Sequence, residues 1–281
     1  MKYALELPAA GATADPKVLG QLALVAEESG WDGVFLEDYL VHHSGLPTCD
    51  PLIALAAMAL ATERLMLGTE VTPVSRLRPW KLARELASLD LLSEGRIVLG
   101  VGLGDLNDAA WAAVGEISDT RTRADLMDES LAILAGLWTG EPFRFEGRHY
   151  RIEEVTFRPV PVQRPRIPIW IGGGWPNRGV KRRAPRWDGC CAYMEMGTFE
   201  EWGDQTPEYV RELLALVEAE RGTSKGYDVV TGGRPRDDDE ASDKAIIASL
   251  ENAGATWWVE YVEAEADLET TRAAVARGPL R

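Results

Sequence analysis

The chain has 281 residues, of which 46% are hydrophobic and 27% charged, values typical of a folded globular domain rather than a disordered or membrane-embedded chain. Its formal net charge of -15 opposes nucleic acid or an anionic membrane as a partner, because both attract clustered Lys and Arg. Glu6 interrupts the first apolar run too early for a secretory signal peptide, so a cytoplasmic location is expected.

Strands and helices alternate from the amino end onward. The first strand is predicted over 2–7, and Asp15 and Pro16 then supply the cap and first position of a helix that ends before Gly30. The continuous apolar run in 64–71 is expected of a strand covered on both faces. Further strands are predicted over 31–37, 64–71, 96–101, 167–171, 187–193, 227–231 and 256–262, and further helices over 50–63, 79–92, 123–138, 177–186, 207–221, 240–253 and 268–277.

Eight strand-and-helix units favour a (β/α)8 TIM barrel over an open doubly wound sheet, with residues 1–281 as a single domain. Residues 102–165 interrupt the alternation and are predicted to form an excursion between strands four and five, with a hairpin around Glu146 and Gly147. The carboxyl ends of barrel strands meet at one mouth, so the functional site is expected there.

Polar side chains follow strands two and four. Asp38 and Asp105 stand where a carboxylate could bond a ring or move a proton, although each alone is more often a cap or a loop residue. Tyr39, His42 and His43 also follow strand two, and histidines in such loops are more often structural than catalytic.

A glycine run, Gly172, Gly173 and Gly174, precedes a helix that is rich in Lys and Arg. Glycines expose backbone N–H groups, and a helix start adds a favourable dipole, so the run predicts either a phosphate site or an ordinary tight turn. The glycines in 100–104 lack the full dinucleotide-binding spacing. No cysteine, histidine or carboxylate cluster has metal-ligand spacing and no Ser/His/Asp set has recognisable flanks, so neither a metal site nor a hydrolase is expected.

Motifs along nearly the whole chain occur together in one known family. The strongest are LGTEVTP at 67–73, RPWKLARE at 78–85 and SLDLLSEGR at 88–96, followed by LWTG at 137–140, PVPVQ at 159–163, IWIGG at 169–173 and WDG at 187–189. Together they resemble the bacterial luciferase-like family of flavin- or F420-dependent oxidoreductases.

The resemblance implies a barrel that holds F420 or FMN at the carboxyl ends of its strands. Asp38 matches an acid near the ring or the hydroxyl-bearing chain, and Tyr39 stands where several F420 enzymes have a histidine, so both are candidate catalytic residues. Glu70 and Val71 match a peptide bond that is often cis in the F420-using branch and forms a bulge behind the ring.

The remaining candidate positions also come from the resemblance. Gly102 and Asp105 match the end of strand four, where an acid can donate a proton. Gly172, Gly173 and Gly174 match the phosphate loop. Relatives in this family are commonly dimers or larger, so a homodimer or larger homo-oligomer is expected.

The function expected is hydride transfer between F420 or FMN and a small organic substrate, or FMN-dependent monooxygenation. Two alternatives stay open. One is a flavin-binding protein without turnover. The other is an unrelated barrel enzyme in which Gly172 to Gly174 hold a substrate phosphate.

Overall fold

The computed structural model describes residues 1–104, 110–195 and 202–281. Within these ranges the strands are β1 (Lys2–Leu7), β2 (Gly33–Leu36), β3 (Met66–Pro73), β4 (Ile97–Gly102), β5 (Pro142–Glu146), β6 (Arg151–Thr156), β7 (Ile169–Trp175), β8 (Gly189–Glu195), β9 (Trp202–Gly203), β10 (Asp228–Arg234) and β11 (Trp257–Tyr261). The helices are α1 (Pro16–Glu28), α2 (Pro51–Ala61), α3 (Pro79–Leu92), α4 (Ala110–Ala113), α5 (Thr120–Leu137), α6 (Arg178–Arg183), α7 (Pro207–Arg221), α8 (Glu240–Ala253) and α9 (Leu268–Ala276). No helix in these ranges has the length and apolar character needed to span a bilayer.

Parallel pairing closes the main sheet into a barrel. Its strand order is β10-β11-β1-β2-β3-β4-β7-β8, and β8 pairs back with β10. The short strand β9 adds to the edge of β8 in the antiparallel direction. The predicted (β/α)8 fold is therefore confirmed.

The excursion between barrel strands four and five contains α4, α5 and the predicted hairpin. Strands β5 and β6 pair antiparallel as a separate two-stranded sheet. Phe143 and Phe145 of this hairpin pack against the main core.

Local signals set most helix ends. Asp15 accepts a hydrogen bond from the Lys17 N–H at the start of α1, and Asp50 accepts one from the Ile53 N–H at the start of α2. Helix α8 ends at Gly254, which has φ 112 and so adopts a conformation that few other residues tolerate.

Aromatic side chains fill the bore of the barrel on the side away from the mouth. The rings of Phe35 and Trp170 lie 5.0 Å apart between centroids, and Trp257 is 5.7 Å from Phe35 and 5.5 Å from Trp170. All three are buried. The bore is thus packed at this level, and a ligand can approach only the layers nearer the carboxyl ends of the strands.

Barrel strand five differs from its prediction. It was expected to end at Ile171 with the glycines in a loop, but β7 continues to Trp175, and Gly172, Gly173 and Gly174 pair with successive residues of β8. Glycine has low intrinsic strand propensity, and here the neighbouring strand decides the conformation.

Candidate active site at the barrel mouth

Three glutamates lie in the bore near the carboxyl ends of β1, β2 and β3. Side chains alternate between the two faces of a strand, so Glu6 shares the inner face of β1 with Ala4, and Glu37 follows the inward-facing Phe35. Glu70 completes the group from β3. The three carboxyls therefore converge on the mouth from adjacent strands.

Loss of water around the carboxyl groups dominates the electrostatics of this glutamate cluster (Glu6, Glu37 and Glu70), although each residue as a whole is half-buried. It raises the pKa of Glu70 to about 8 and, together with the charge of Glu265, that of Glu37 to about 7. The pKa of Glu6 is raised well above its ordinary range by burial and then by the charges of Glu70 and Glu37. In the described part of the chain no ion pair involves these three residues.

Two oxygens of the cluster are buried without a hydrogen-bond partner in the structure, namely Oε2 of Glu37 and Oε2 of Glu70. A buried carboxyl without a partner favours its protonated form. The raised pKa values favour the protonated form of Glu70 at neutral pH and bring the titration of Glu37 into the neutral range. Groups of this kind can give or accept a proton in a reaction.

Asp38 is engaged by an arginine. Nη2 of Arg76 donates to Oδ1 of Asp38 at 2.8 Å and to the backbone oxygen of Asp38 at 3.2 Å. The side chain of Asp38 is 13% exposed and that of Arg76 is 9% exposed. Burial raises the pKa of Asp38, and the charge of Arg76 opposes that shift. A ligand that contacts the Asp38 carboxylate would therefore share it with Arg76.

Tyr39 lies at the rim of the mouth among aromatic rings. It makes edge contacts with His42, 5.3 Å between ring centroids, and with His43 at 5.9 Å. His42 is buried, and burial together with the neighbouring His43 lowers its pKa. Burial raises the pKa of Tyr261, and the charges of the nearby Glu37 and Glu6 raise it further.

A bulge interrupts β3 at Glu70 and Val71. The Glu70–Val71 peptide bond is cis, and the register with β4 shifts between Thr69 and Thr72. The Val71 side chain packs against two glycines: a Cβ on Gly102 would come within 2.5 Å of Val71 Cγ2, and a Cβ on Gly172 within 2.5 Å of Val71 Cγ1. Both glycines thus have a packing role, since any side chain there would overlap Val71.

The glycines predicted to bind phosphate lie on a strand next to a carboxylate. Gly173 has φ +131, a conformation that side chains rarely adopt. A Cβ on Gly174 would come within 2.7 Å of Oε2 of Glu195, and Asn177 Nδ2 donates to the same oxygen at 2.6 Å. An anion bound here would be repelled by the Glu195 carboxylate unless that side chain moved away.

The cations that follow these glycines are largely neutralised. Lys181 Nζ lies 2.6 Å from Glu212, and Arg183 Nε lies 2.6 Å from Asp128, which also pairs with Arg182. The predicted attraction of this helix for phosphate is weaker than its composition indicates, because the neighbouring helices supply compensating acids.

The structure brings some of the sequence-predicted residues together. Val71 packs against Gly102 and Gly172, and Glu70 precedes Val71 in the β3 bulge. Asp105 lies outside the described residues. Glu6, Glu37 and Arg76 were not among the predicted site residues, although the two-residue period of β1 and β2 places both glutamates on the bore face.

The family model described as luciferase-like monooxygenase matches residues 4–276. This chain belongs to the luciferase-like family. The resemblance found in the sequence motifs is therefore confirmed.

Two curated relatives of this luciferase-like protein are named F420-dependent glucose-6-phosphate dehydrogenase. The one from Nakamurella multipartita is 38% identical over 169 residues, which cover 57% of this chain and 48% of the relative. The one from Microbacterium testaceum is 34% identical over 227 residues, which cover 79% of this chain and 61% of the relative. The matched region is thus about half to three-fifths of the relatives' length.

The fold of this luciferase-like protein is also found in the coenzyme F420 dependent tetrahydromethanopterin reductase from Methanopyrus kandleri. The TM-score is 0.74 at 16% identity, with 98% of this chain and 97% of the other covered. At this identity the likeness concerns the fold.

Proposed function

We propose that this protein is an oxidoreductase that uses F420 to move a hydride to or from a small organic substrate. The observation that carries the proposal is the 34–38% identity to proteins named as F420-dependent dehydrogenases. FMN is the second candidate cofactor, because the family model bears the description of a monooxygenase.

Features of the mouth fit a ring with polar edges. Gly102 and Gly172 lack side chains on either side of Val71, which leaves the bulge as a surface against which a ring could rest. The unpartnered Glu37 and Glu70 oxygens offer polar contacts at the same end of the bore. When bound, F420 supplies a two-electron carrier that accepts or gives a hydride.

The chain's own groups would handle the proton that accompanies hydride transfer. Glu70 is the leading candidate, because its raised pKa favours the protonated form at neutral pH within the mouth. Asp38, Tyr39 and Asp105 remain proposed catalytic residues, with Asp38 acting from within its ion pair with Arg76.

The proposed substrate is uncharged. The relatives are named for glucose 6-phosphate, which carries a dianionic phosphate at neutral pH. The glutamate cluster offers no positive charge to balance such an anion, and the partly ionised Glu37 would oppose its approach. A neutral alcohol or carbonyl compound fits the electrostatics better.

Titration of the purified protein with F420 and with FMN tests the cofactor. Quenching of cofactor fluorescence should show saturable binding of F420 with FMN much weaker, and addition of glucose 6-phosphate should not reduce bound F420. Tight binding of FMN alone would show that the protein uses FMN in place of F420. Binding of neither cofactor would reject the proposal, and saturable F420 reduction by glucose 6-phosphate would reject its substrate part.

The proposed phosphate contact at Gly172, Gly173 and Gly174 needs a test that separates charge from backbone strain. Gly173→Asp introduces both, because φ at this position is +131, whereas Gly173→Ala introduces strain alone. We expect the Asp variant to bind F420 at least about tenfold more weakly than the Ala variant, which corresponds to about 1.4 kcal/mol of repulsion. Equal affinities of two folded variants would remove these glycines from the phosphate site.

We also propose that the protein is cytoplasmic, that it assembles as a homodimer or larger homo-oligomer, and that residues 1–281 form a single domain. Size-exclusion chromatography with light scattering tests the oligomeric state.

A further inference from the structure

Two histidines and a glutamate meet at the rim of the mouth. His42 and His43 follow β2, and Glu265 lies between β11 and α9, so barrel closure brings together residues more than 220 positions apart. One potential ligand atom from each of the three lies within 4.8 Å of the other two. In the described ranges this is the group whose side chains could share a metal ion.

The group has features of a ligand set rather than of a chance surface contact. Ser44 Oγ donates to Glu265 Oε1 at 2.9 Å, which orients the carboxylate and leaves Oε2 for another partner. The His42 and His43 rings lie 4.2 Å apart between centroids. His42 is buried, whereas His43 and Glu265 are exposed and can adjust.

We propose that His42, His43 and Glu265 form a binding site for a divalent transition metal ion of the zinc type. Two imidazoles and one carboxylate are a donor set that zinc accepts, with the remaining position open to water. The ion would tie the loop after β2 to the loop after β11 beside Tyr39. The proposal is independent of which cofactor the mouth binds.

The geometry requires a modest contraction. Zinc bonds of about 2.0–2.1 Å in a tetrahedral arrangement set ligand atoms about 3.3 Å apart, so the donors must approach by up to about 1.5 Å. Rotation of the exposed His43 and Glu265 side chains can supply this movement. The Ser44 N–H donates to His42 Nδ1 at 3.3 Å, so the acceptor lone pair of this ring is on Nδ1. A metal ion bound there would displace this long hydrogen bond.

The chain supplies matched controls. It contains three histidines, and the third, His149, lies in the hairpin excursion. Glu263 is an exposed glutamate two residues before Glu265. The variants His149→Ala and Glu263→Gln therefore remove the same chemical groups outside the proposed site.

The test is isothermal titration of the full-length, untagged and chelator-treated protein with zinc chloride alone. We expect saturable binding at a single site, weakened about tenfold or more by Glu265→Gln and by His43→Ala and unchanged by the two control variants. Both test substitutions lie on the surface, so the fold should persist, as circular dichroism can verify. The melting temperature should rise with zinc in the wild type and not in the double variant His43→Ala/Glu265→Gln.

Cobalt substitution gives a spectroscopic check of the ligands. Cobalt(II) held by nitrogen and oxygen donors in a tetrahedral site should show visible absorption bands that are lost in the double variant. Absence of zinc binding by the wild type would overturn the proposal. So would binding of equal affinity in the wild type and the double variant, because the ion would then sit elsewhere.

Discussion

At the scale of single residues, the unusual chemistry of the mouth comes from where its glutamates are buried. Glu6, Glu37 and Glu70 are ordinary carboxyls in the sequence, and their pKa values rise because the bore removes water and no cation among the described residues pairs with them. The same burial that makes Glu70 a possible proton donor must reduce the stability of the fold once it ionises.

Glu70→Gln should therefore flatten the pH dependence of stability. The pKa of Glu70 is about 8 in the folded protein and has its ordinary value of 4.5 when unfolded, so the folded protein binds more protons between these values. The free energy of unfolding then falls as the pH rises through this window. Between pH 5 and pH 8.5 we expect the free energy of unfolding of Glu70→Gln to rise by about 1–3 kcal/mol relative to that of the wild type, since one pKa unit is worth about 1.4 kcal/mol.

Urea denaturation at a series of pH values measures this difference. Glu63→Gln, at an exposed glutamate, serves as the control and should follow the wild-type curve. A Glu70→Gln curve parallel to that of the wild type would show that Glu70 is ionised in the folded protein at neutral pH.

At the scale of elements, strand β3 depends on its neighbours for the space that its bulge needs. Val71 projects between β4 and β7, and the glycines at 102 and 172 leave that space open. Packing against Val71 is by itself a sufficient reason for glycine at these positions, and cofactor contact is the proposed second reason.

Gly172→Ala should destabilise the protein by about 1–3 kcal/mol, the usual cost of overpacking, because the new methyl group would meet Val71 Cγ1 at 2.5 Å. In a Val71→Ala background the same substitution should cost much less, since the overlapping methyl group is gone. Denaturant unfolding of the four proteins in this double-mutant cycle measures the coupling. Additive effects of the two substitutions would exclude the contact as the cause.

At the scale of the whole molecule, an ion-pair network fastens the strand that closes the barrel. Glu260 of β11 is 1% exposed by side chain and accepts from Arg236 Nη2 at 2.6 Å and from Arg277 Nη2 at 3.1 Å. Arg236 Nη2 also donates to the backbone oxygen of Gly278 at 2.6 Å. The network joins β11 to the segment before α8 and to the end of α9.

Glu260→Gln should cost about 3–5 kcal/mol of unfolding free energy, because it removes the buried counter-charge of Arg236 and leaves only the exposed Glu240, 3.7 Å from Arg236 Nη1. Thermal or denaturant unfolding measures the loss, and Glu263→Gln on the nearby surface should leave stability within about 0.5 kcal/mol of the wild type. An equally small effect at Glu260 would mean that water or another group compensates Arg236.

Local signals were enough to place many elements. Helices α3, α7 and α8 have the bounds predicted from the sequence. Proline at the first position of α3 and α7, and glycine after the last residue of α7 and α8, act within one turn of the chain. The number and order of the strands then sufficed for the barrel, and the motifs sufficed for the family.

The sequence by itself thus determined the barrel and the family, and the end of the barrel where the site should lie stays its prediction. Tertiary structure alone decided that Gly172 to Gly174 extend a strand, that Asp38 is paired with Arg76, and that Glu6, Glu37 and Glu70 share one buried space. The reason is physical. Capping and periodicity act between neighbours in the chain, whereas ion pairing and desolvation depend on which distant strands the closed barrel sets side by side.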